Sequence, residues 1–320
     1  MTGTVRWGIL GAAKIARDHV ARAIHGAAGA TLAALATRDP ARAEWYAALA
    51  PGLRIHAGYE AMLADPGVDA VYIPLPNDMH VDWTLRALAA GKHVLCEKPI
   101  ALAAGDIDRL IAARDASGLV AAEAFMVCHH PQWHRLRLLL ADGAIGPLAH
   151  VEGMFSFRNT DPGNIRNRPE TGGGGLLDIG VYPVITTRFA TGAEPVRLRA
   201  DIRREGGVDV FARVWADFPG FTMSFHCGMR MARRQDMVFH GETGWIRVPA
   251  PFNPPSQGEA QIVLHRQDGS VLVERFPEAD QYRLMIEAFG ETVRTRAPFA
   301  CPLEFSRGNQ AAIDAILAAG

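Results

Sequence analysis

The chain has 320 residues, 49% hydrophobic and 21% charged, a globular composition too long for one ordinary domain. Its 33 basic and 34 acidic side chains leave a formal net charge of −1, so no global field favours nucleic acid or a membrane surface. Four scattered cysteines (Cys96, Cys128, Cys227, Cys301) form no CxxC pair, which argues against a disulfide framework or structural zinc.

Val5–Leu10 reads as a short apolar strand, followed by Gly11 and a helical run from Lys14 to Ile24. With no charged leader before Val5 and no uninterrupted apolar run of bilayer length, a soluble cytoplasmic protein is expected. Thr31–Ala36 is a second strand, Pro40–Leu49 the next helix, and His56 closes a short third strand. The apolar Ala70–Pro74 is a fourth strand. A long helix follows, Met79 to Ala90, with Gly91 as its C-cap. His93–Cys96 is a fifth strand, Ala103–Ser117 a helix closed by Gly118, and Leu119–Ala124 a sixth strand. Strands alternating with helices imply βαβ units and a doubly wound parallel sheet over residues 1–125.

After Phe125 the pattern changes. A helix is expected at 132–141, a strand at Leu148–Phe157, a polar loop rich in Gly and Pro from Arg158 to Gly175, and a helix from Leu176 to Ala190. From Pro195 to Phe276, apolar and polar residues alternate between Gly and Pro breakers, clearest in Val208–Phe218, Phe221–Cys227, Met237–Phe239, Gln261–His265 and Val271–Phe276. Period two with breakers indicates an antiparallel sheet with one buried face. Helices Tyr282–Thr295 and Leu303–Ala318 finish the chain. Residues 126–320 thus read as an α+β domain whose last helices are free to pack back on the first domain.

The first strand runs into Gly11-Ala12-Ala13-Lys14-Ile15-Ala16, a G-x-G-x-x-G turn with alanine in its second and third glycine places. Gly11 permits the tight turn, Ala13 still lets backbone approach a pyrophosphate, and the helix N-terminus offers N–H donors. Gly-Ala turns also close ordinary βα units, but the position, first strand to first helix, favours nucleotide binding. The second strand ends Ala36-Thr37-Arg38, with Arg42 one helical turn on and Asp39 one place late for a ribose contact. An arginine at this tip suits a 2′-phosphate, so NADP is expected over NAD, which stays possible.

Two later segments are more specific: DAVYIPLPNDMH from Asp69 to His80, and GKHVLCEKP from Gly91 to Pro99. Together with the opening turn they resemble the Gfo/Idh/MocA oxidoreductases over essentially the whole chain. Gly172–Tyr182 (GGGGLLDIGVY) is similar to the sugar (xylose, glucose-fructose) and dimeric dihydrodiol dehydrogenase branch. The inositol branch carries histidine at the place of Tyr182, which argues against an inositol substrate. The resemblance implies a Rossmann domain followed by an α+β domain with a large, mostly antiparallel open sheet that pairs subunits into a homodimer or homotetramer. It also implies a cis Lys98-Pro99 bond, Glu97 at the nicotinamide ribose, and Lys98 facing the reacting oxygen in a cleft between domains. Asn77 and His80 are placed near the nicotinamide. The full cofactor set expected is Gly11, Ala12, Ala13, Ile15, Thr37, Arg38, Arg42, Leu75, Pro76, Asn77, His80, Glu97 and Lys98.

Asp178 and Tyr182 stand four apart on a helix and so share a face. Tyrosine titrates near about 10 unperturbed; a cationic Lys98 nearby favours the phenolate and makes Tyr182 the proton acceptor or donor. A tyrosine packed in the core and an aspartate serving as helix N-terminal charge are the structural alternatives. Asp178, Asn164 and Arg166 are expected to position a polyhydroxy or diol substrate. Cys128-His129-His130 with His134 brings no carboxylate or second cysteine at ligand spacing, so capping and packing are expected there and no metal. The expected reaction is NADP-dependent hydride transfer at a carbinol or carbonyl carbon of a sugar or vicinal diol, with no nucleic-acid or membrane partner. The alternatives are a reductase of a ketose, anhydroketose or dicarbonyl, and a non-catalytic NADP-sensing regulator of the same fold.

Overall fold

A computed structural model describes residues 3–320. The chain divides into two compact units, one of residues 1–129 with 280–307, the other of residues 130–279 with 308–320.

The first unit holds six parallel strands: β1 Val5–Leu10, β2 Ala30–Ala36, β3 Arg54–His56, β4 Ala70–Ile73, β5 His93–Cys96 and β6 Ala121–Glu123. Their order, β3-β2-β1-β4-β5-β6, reverses direction beside β1, and in such sheets ligands bind outside the carboxyl ends at that reversal. Four helices connect them: α1 Ala21–Gly26, α2 Pro40–Leu49, α3 Tyr59–Leu63 and α4 His80–Ala89, with α5 Ala104–Ser117 between β5 and β6. α2 begins where Asp39 accepts the Ala41 N–H, with Pro40 in its first turn, the pairing of cap and proline that starts helices well. α5 ends on Gly118 in a left-handed conformation, φ 62°, as its sequence position requires. The short α3, absent from the sequence reading, buries Met62 and Leu63. One core runs through Leu10, Val71, Ile73, Trp83, Val94, Ile107 and Leu110. Trp7 meets Phe289, from a helix α9 at Gln281–Thr295, at 5.1 Å between ring centroids; burying each such side chain is worth about 1.5–3 kcal/mol.

The second unit is built on eight strands. They are β7 Leu148–Arg158, β8 Arg197–Glu205, β9 Val208–Phe218, β10 Phe221–Gly228, β11 Arg230–Gly241, β12 Gly244–Val248, β13 Gln261–Arg266 and β14 Val271–Arg275, in the order β14-β13-β12-β11-β7-β10-β9-β8. Only β7 and β10 pair in parallel; the other neighbours are antiparallel. β9 alternates as its sequence does, with Val210, Ala212, Val214 and Ala216 buried and Arg213 and Trp215 outward. Helices α6 Pro131–Ala141 and α7 Val181–Thr191 belong to this unit, α7 buried from Val181 through Ala190. A short α8, Pro254–Gln257, and the last helix α10, Leu303–Ala319, complete the elements.

The sequence reading differs from the structure in other places as well. β8 and β12 are strands it did not single out. The helix expected from Leu176 opens as a π-helical turn, Leu176–Gly180, before α7, and the run after Gly11 does the same at Ala16–Val20 before α1. The polar loop carries two short 3-10 turns, Ile165–Asn167 and Pro169–Thr171. Among the described residues no helix is long and apolar enough to cross a membrane, and no group of three His, Cys, Asp or Glu side chains could hold a metal.

Candidate functional site

Four adjacent strands of the first unit, β2, β1, β4 and β5, deliver the expected cofactor residues to one edge of the sheet. Gly11, at φ +100°, makes the turn after β1 and donates its N–H to Ala36 O at 2.9 Å. A side chain there would be strained by that φ and would meet Leu75 Cδ2 at 3.1 Å. Ala12, Ala13 and Ile15 follow, half-buried, where the first N–H groups of a helix lack intrahelical partners and suit an anion. Tyr46 of α2 donates to Ala13 O at 3.3 Å and holds the turn from the side; burial pushes its phenol up to about 12.

At the end of β2, Thr37 is buried and its Oγ1 accepts the Asp39 N–H. Asp39 is committed to capping α2 and to an ion pair with Arg42 at 3.3 Å. Arg38 is exposed, with no charged partner among the described residues. The donor set therefore fits a dinucleotide: a glycine cradle, a helix N-terminus and a solvent-facing guanidinium where a 2′-phosphate would lie.

After β4, Leu75 is buried and Pro76 and Asn77 are half-buried. His80 does not face the edge. It is buried, with Nδ1 2.8 Å from Pro99 O and Nε2 2.8 Å from Leu75 O. Burial holds its pKa below the ordinary histidine value against the pull of the two carbonyls. A neutral imidazole donates through one nitrogen only, so one of these contacts is a hydrogen bond and the other a close approach. Either way His80 ties the β4 loop to the Lys98-Pro99 turn, whose peptide bond is cis.

Glu97 and Lys98 follow β5, both half-buried. Glu97 Oε1 accepts the Tyr72 hydroxyl at 2.5 Å, and Oε2 accepts the Lys98 N–H at 3.3 Å. Burial, and next the Glu97 carboxylate, push the Tyr72 phenol well up, so it stays a donor. The Lys92 and His93 of the same motif are structural: Lys92 Nζ donates to Asp65 O and Val68 O, each at 2.8 Å, and His93 Nδ1 accepts the Val120 N–H at 2.9 Å.

In the second unit the glycine run is explained by crowding. A Cβ on Gly173 would lie 2.6–2.8 Å from the carbonyl oxygens of Arg166, Arg168 and Ile165, and one on Gly174 (φ +125°) 2.2 Å from Asp209 Oδ1. Asp209, 5% exposed on β9, accepts the Leu176 N–H at 2.7 Å and so caps the helix that carries Asp178 and Tyr182. Burial raises its pKa, opposed by the N–H groups it accepts. The loop is stapled to the same helix: Asn164 Oδ1 accepts the Arg166 N–H, and Arg166 Nε donates to Asp178 Oδ2 at 2.6 Å. Tyr182 is 4% exposed in an aromatic cluster with Phe155 and Phe252, at 5.6 and 5.3 Å. His130 caps α6, its ring accepting the Gln132 N–H.

Sequence reasoning missed three polar residues behind these sites: Tyr72, Glu123 and Asp209. The signal for each was a polar side chain inside an otherwise apolar strand, YI in β4, AAE in β6 and VDV in β9. Such residues need an internal partner.

Comparison with known proteins agrees with the architecture. Residues 5–125 match the oxidoreductase family, NAD-binding Rossmann fold, of the GFO/IDH/MocA group, and residues 133–247 match a GFO/IDH/MocA C-terminal domain. The chain is 36% identical to a dTDP-3,4-didehydro-2,6-dideoxy-alpha-D-glucose 3-reductase of Streptomyces antibioticus, covering 91% of this chain and 89% of the relative. It is 35% identical to a D-xylose 1-dehydrogenase (NADP(+)) of Haloferax volcanii, over 97% and 95%. A crystal structure of a 3-ketoreductase from Actinomadura kijaniata, in complex with NADP and TDP-benzene, superimposes with a TM-score of 0.90 at 32% identity, covering 99% and 98%. That enzyme has also been crystallised with a lysine and with a tyrosine replaced.

Proposed function

The chain belongs to the Gfo/Idh/MocA oxidoreductase family, and from that premise we propose that it transfers hydride, with NADP, at a carbinol or carbonyl carbon of a sugar or vicinal diol. The observation that carries the reading is the shared sheet edge, where the Gly11 turn, Arg38 and the Glu97-Lys98 turn close three of the four neighbouring strands β2, β1, β4 and β5.

NADP, when bound, supplies or accepts the hydride. The proton falls to the protein. Lys98 donates a hydrogen bond to the reacting oxygen, and Tyr182 gives or takes that oxygen's proton. Glu97, fixed by Tyr72, orients the turn and contacts the nicotinamide ribose. Asp178, paired with Arg166, and Asn164 hold substrate hydroxyls. Arg38 and Arg42 bind the 2′-phosphate, which favours NADP over NAD. Gly11, Ala12, Ala13 and Ile15 receive the pyrophosphate.

Reduction of a keto sugar is the second reading, favoured by the 3-reductase and the 3-ketoreductase among the relatives. The outward face of the eight-stranded sheet, with Trp215 exposed on β9 near one edge and Val271 and Val273 exposed on β14 at the other, suits pairing with a second copy; light scattering at micromolar concentration should return at least a dimer.

The test is absorbance at the reduced-nicotinamide band, with NADP and then NAD, across pentoses, hexoses, vicinal diols and, in reverse, keto sugars. Lys98→Ala should cut turnover by roughly 10²–10⁴-fold, the range for acid–base groups, while NADP still binds. Undiminished turnover in Lys98→Ala would remove the mechanism. NADP binding without turnover on any member of the panel would favour a non-catalytic sensor instead.

A further inference from the structure

One buried acid lies directly behind the Lys98 turn and has no part in the chemistry above. Glu123 is the last residue of β6, paired in register with Cys96 of β5, and is 3% exposed. Its Oε1 accepts the N–H of Ile100, at 2.8 Å, immediately past the cis Lys98-Pro99 bond. The turn therefore meets other elements at three points: Tyr72 donates to Glu97, His80 Nδ1 lies against Pro99 O, and Glu123 accepts the Ile100 N–H. Two of those partners are neutral groups. Burial moves both of them away from ionisation, the Tyr72 phenol upward and the His80 imidazole downward, and moves Glu123 toward neutral pH.

We propose that Glu123 is a positioning residue for Lys98: its carboxyl anchors the turn through Ile100, and its protonation state couples the presentation of Lys98 to pH. The inference rests on the role proposed for Lys98. A carboxylate accepts a backbone N–H about twice as strongly as a neutral carboxyl does, so the turn tightens as the proton leaves.

The surroundings place that change in a useful range. Burial pushes the Glu123 carboxyl up to about 7; the Ser306 hydroxyl, which lies close by but outside hydrogen-bond geometry, and the Ile100 N–H pull it down. Glu97 raises it and Lys98 lowers it. The thiols of Cys96 and Cys301 also face it, and burial pushes both well above their ordinary value, so neither titrates with it.

The experiment uses the full chain without cofactor or substrate first. In protein labelled with ¹⁵N-isoleucine, the Ile100 amide proton should shift between pH 5.5 and 8.5 with a midpoint near 7, and Glu123→Gln, which keeps an oxygen acceptor of the same shape, should abolish the shift. A flat Ile100 amide in the unmodified protein would overturn the proposal. Turnover is then measured on whichever sugar or diol of the panel reacts. Glu123→Gln should match the parent kcat at pH 6 and fall about tenfold below it at pH 8.5, with KM within about threefold, as for loss of orientation and not of binding. A variant that follows the parent at every pH would also overturn it. Lys98→Ala in the same series separates the two readings: undiminished turnover there sinks the function of Lys98 and leaves the amide titration untouched.

Discussion

The two units support their functional residues in opposite ways. In the first, the phosphate end of the cofactor edge is made by strand ends whose residues need little beyond their own βα turn: Gly11 bends, Asp39 caps, Arg38 faces water. In the second, the helix bearing Asp178 and Tyr182 is held by a loop wound over its start and by Asp209 from a strand that follows 31 residues after Asp178 in the chain. Damage to the first should show as lost binding or chemistry. Damage to the second should show as lost stability.

The largest effect should come from Gly174→Ala. The new Cβ occupies the place of Asp209 Oδ1 and demands a φ that L residues rarely adopt; displacing the buried cap and straining the backbone should cost roughly 2–4 kcal/mol, read by urea denaturation. A stable Gly174→Ala protein with normal turnover would mean that the cap does not support the helix.

Acid should weaken both units through one shared device. His93 and His130 each accept a backbone N–H through a neutral ring, and burial holds each down to about 4. The unfolded chain protonates them near about 6.5. Their contribution is therefore complete above that value and drains away as the pH falls from about 6.5 to about 4, up to roughly 3 kcal/mol each. His130→Asn, which caps without titrating, should flatten half of that decline. An unchanged acid limb would show that neither ring carries the load.

The smallest effect belongs to the first unit. Arg38→Ala should leave the denaturation midpoint unchanged and raise the NADP Kd about tenfold, the value of one charge-assisted contact, with NAD binding unaffected. Equal weakening for both cofactors would place the 2′-phosphate elsewhere.

The same contrast explains what could be read in advance. β1, α2, β5 and β9 begin and end at the residues their patterns indicate, because short apolar runs between Gly, Pro and capping residues are local signals. α3 is too short to show a period, and β12 spans five residues, Gly244–Val248. β8 carries four arginines and two acidic residues on the sheet's edge, where charge guards against further pairing and hides the apolar alternation. The Glu97-Lys98-Pro99 turn was visible as a motif. Tyr72, Glu123 and Asp209 were not, since each owes its place to a partner 25, 23 and 33 residues distant.

The π-helical turns at Ala16–Val20 and Leu176–Gly180 add a constraint of another kind, on chain length. A π turn holds one residue more than an α turn, and each α-helical residue advances the direction of its side chain by about 100°. Deleting one residue between Leu176 and Gly180 would let the turn close into regular α-helix with Tyr182 facing nearly as before, because the π turn carries that residue in excess; a deletion inside α7 would instead swing every residue behind it by about that angle. The π turn is thus the place where this helix can lose a residue and keep its aim.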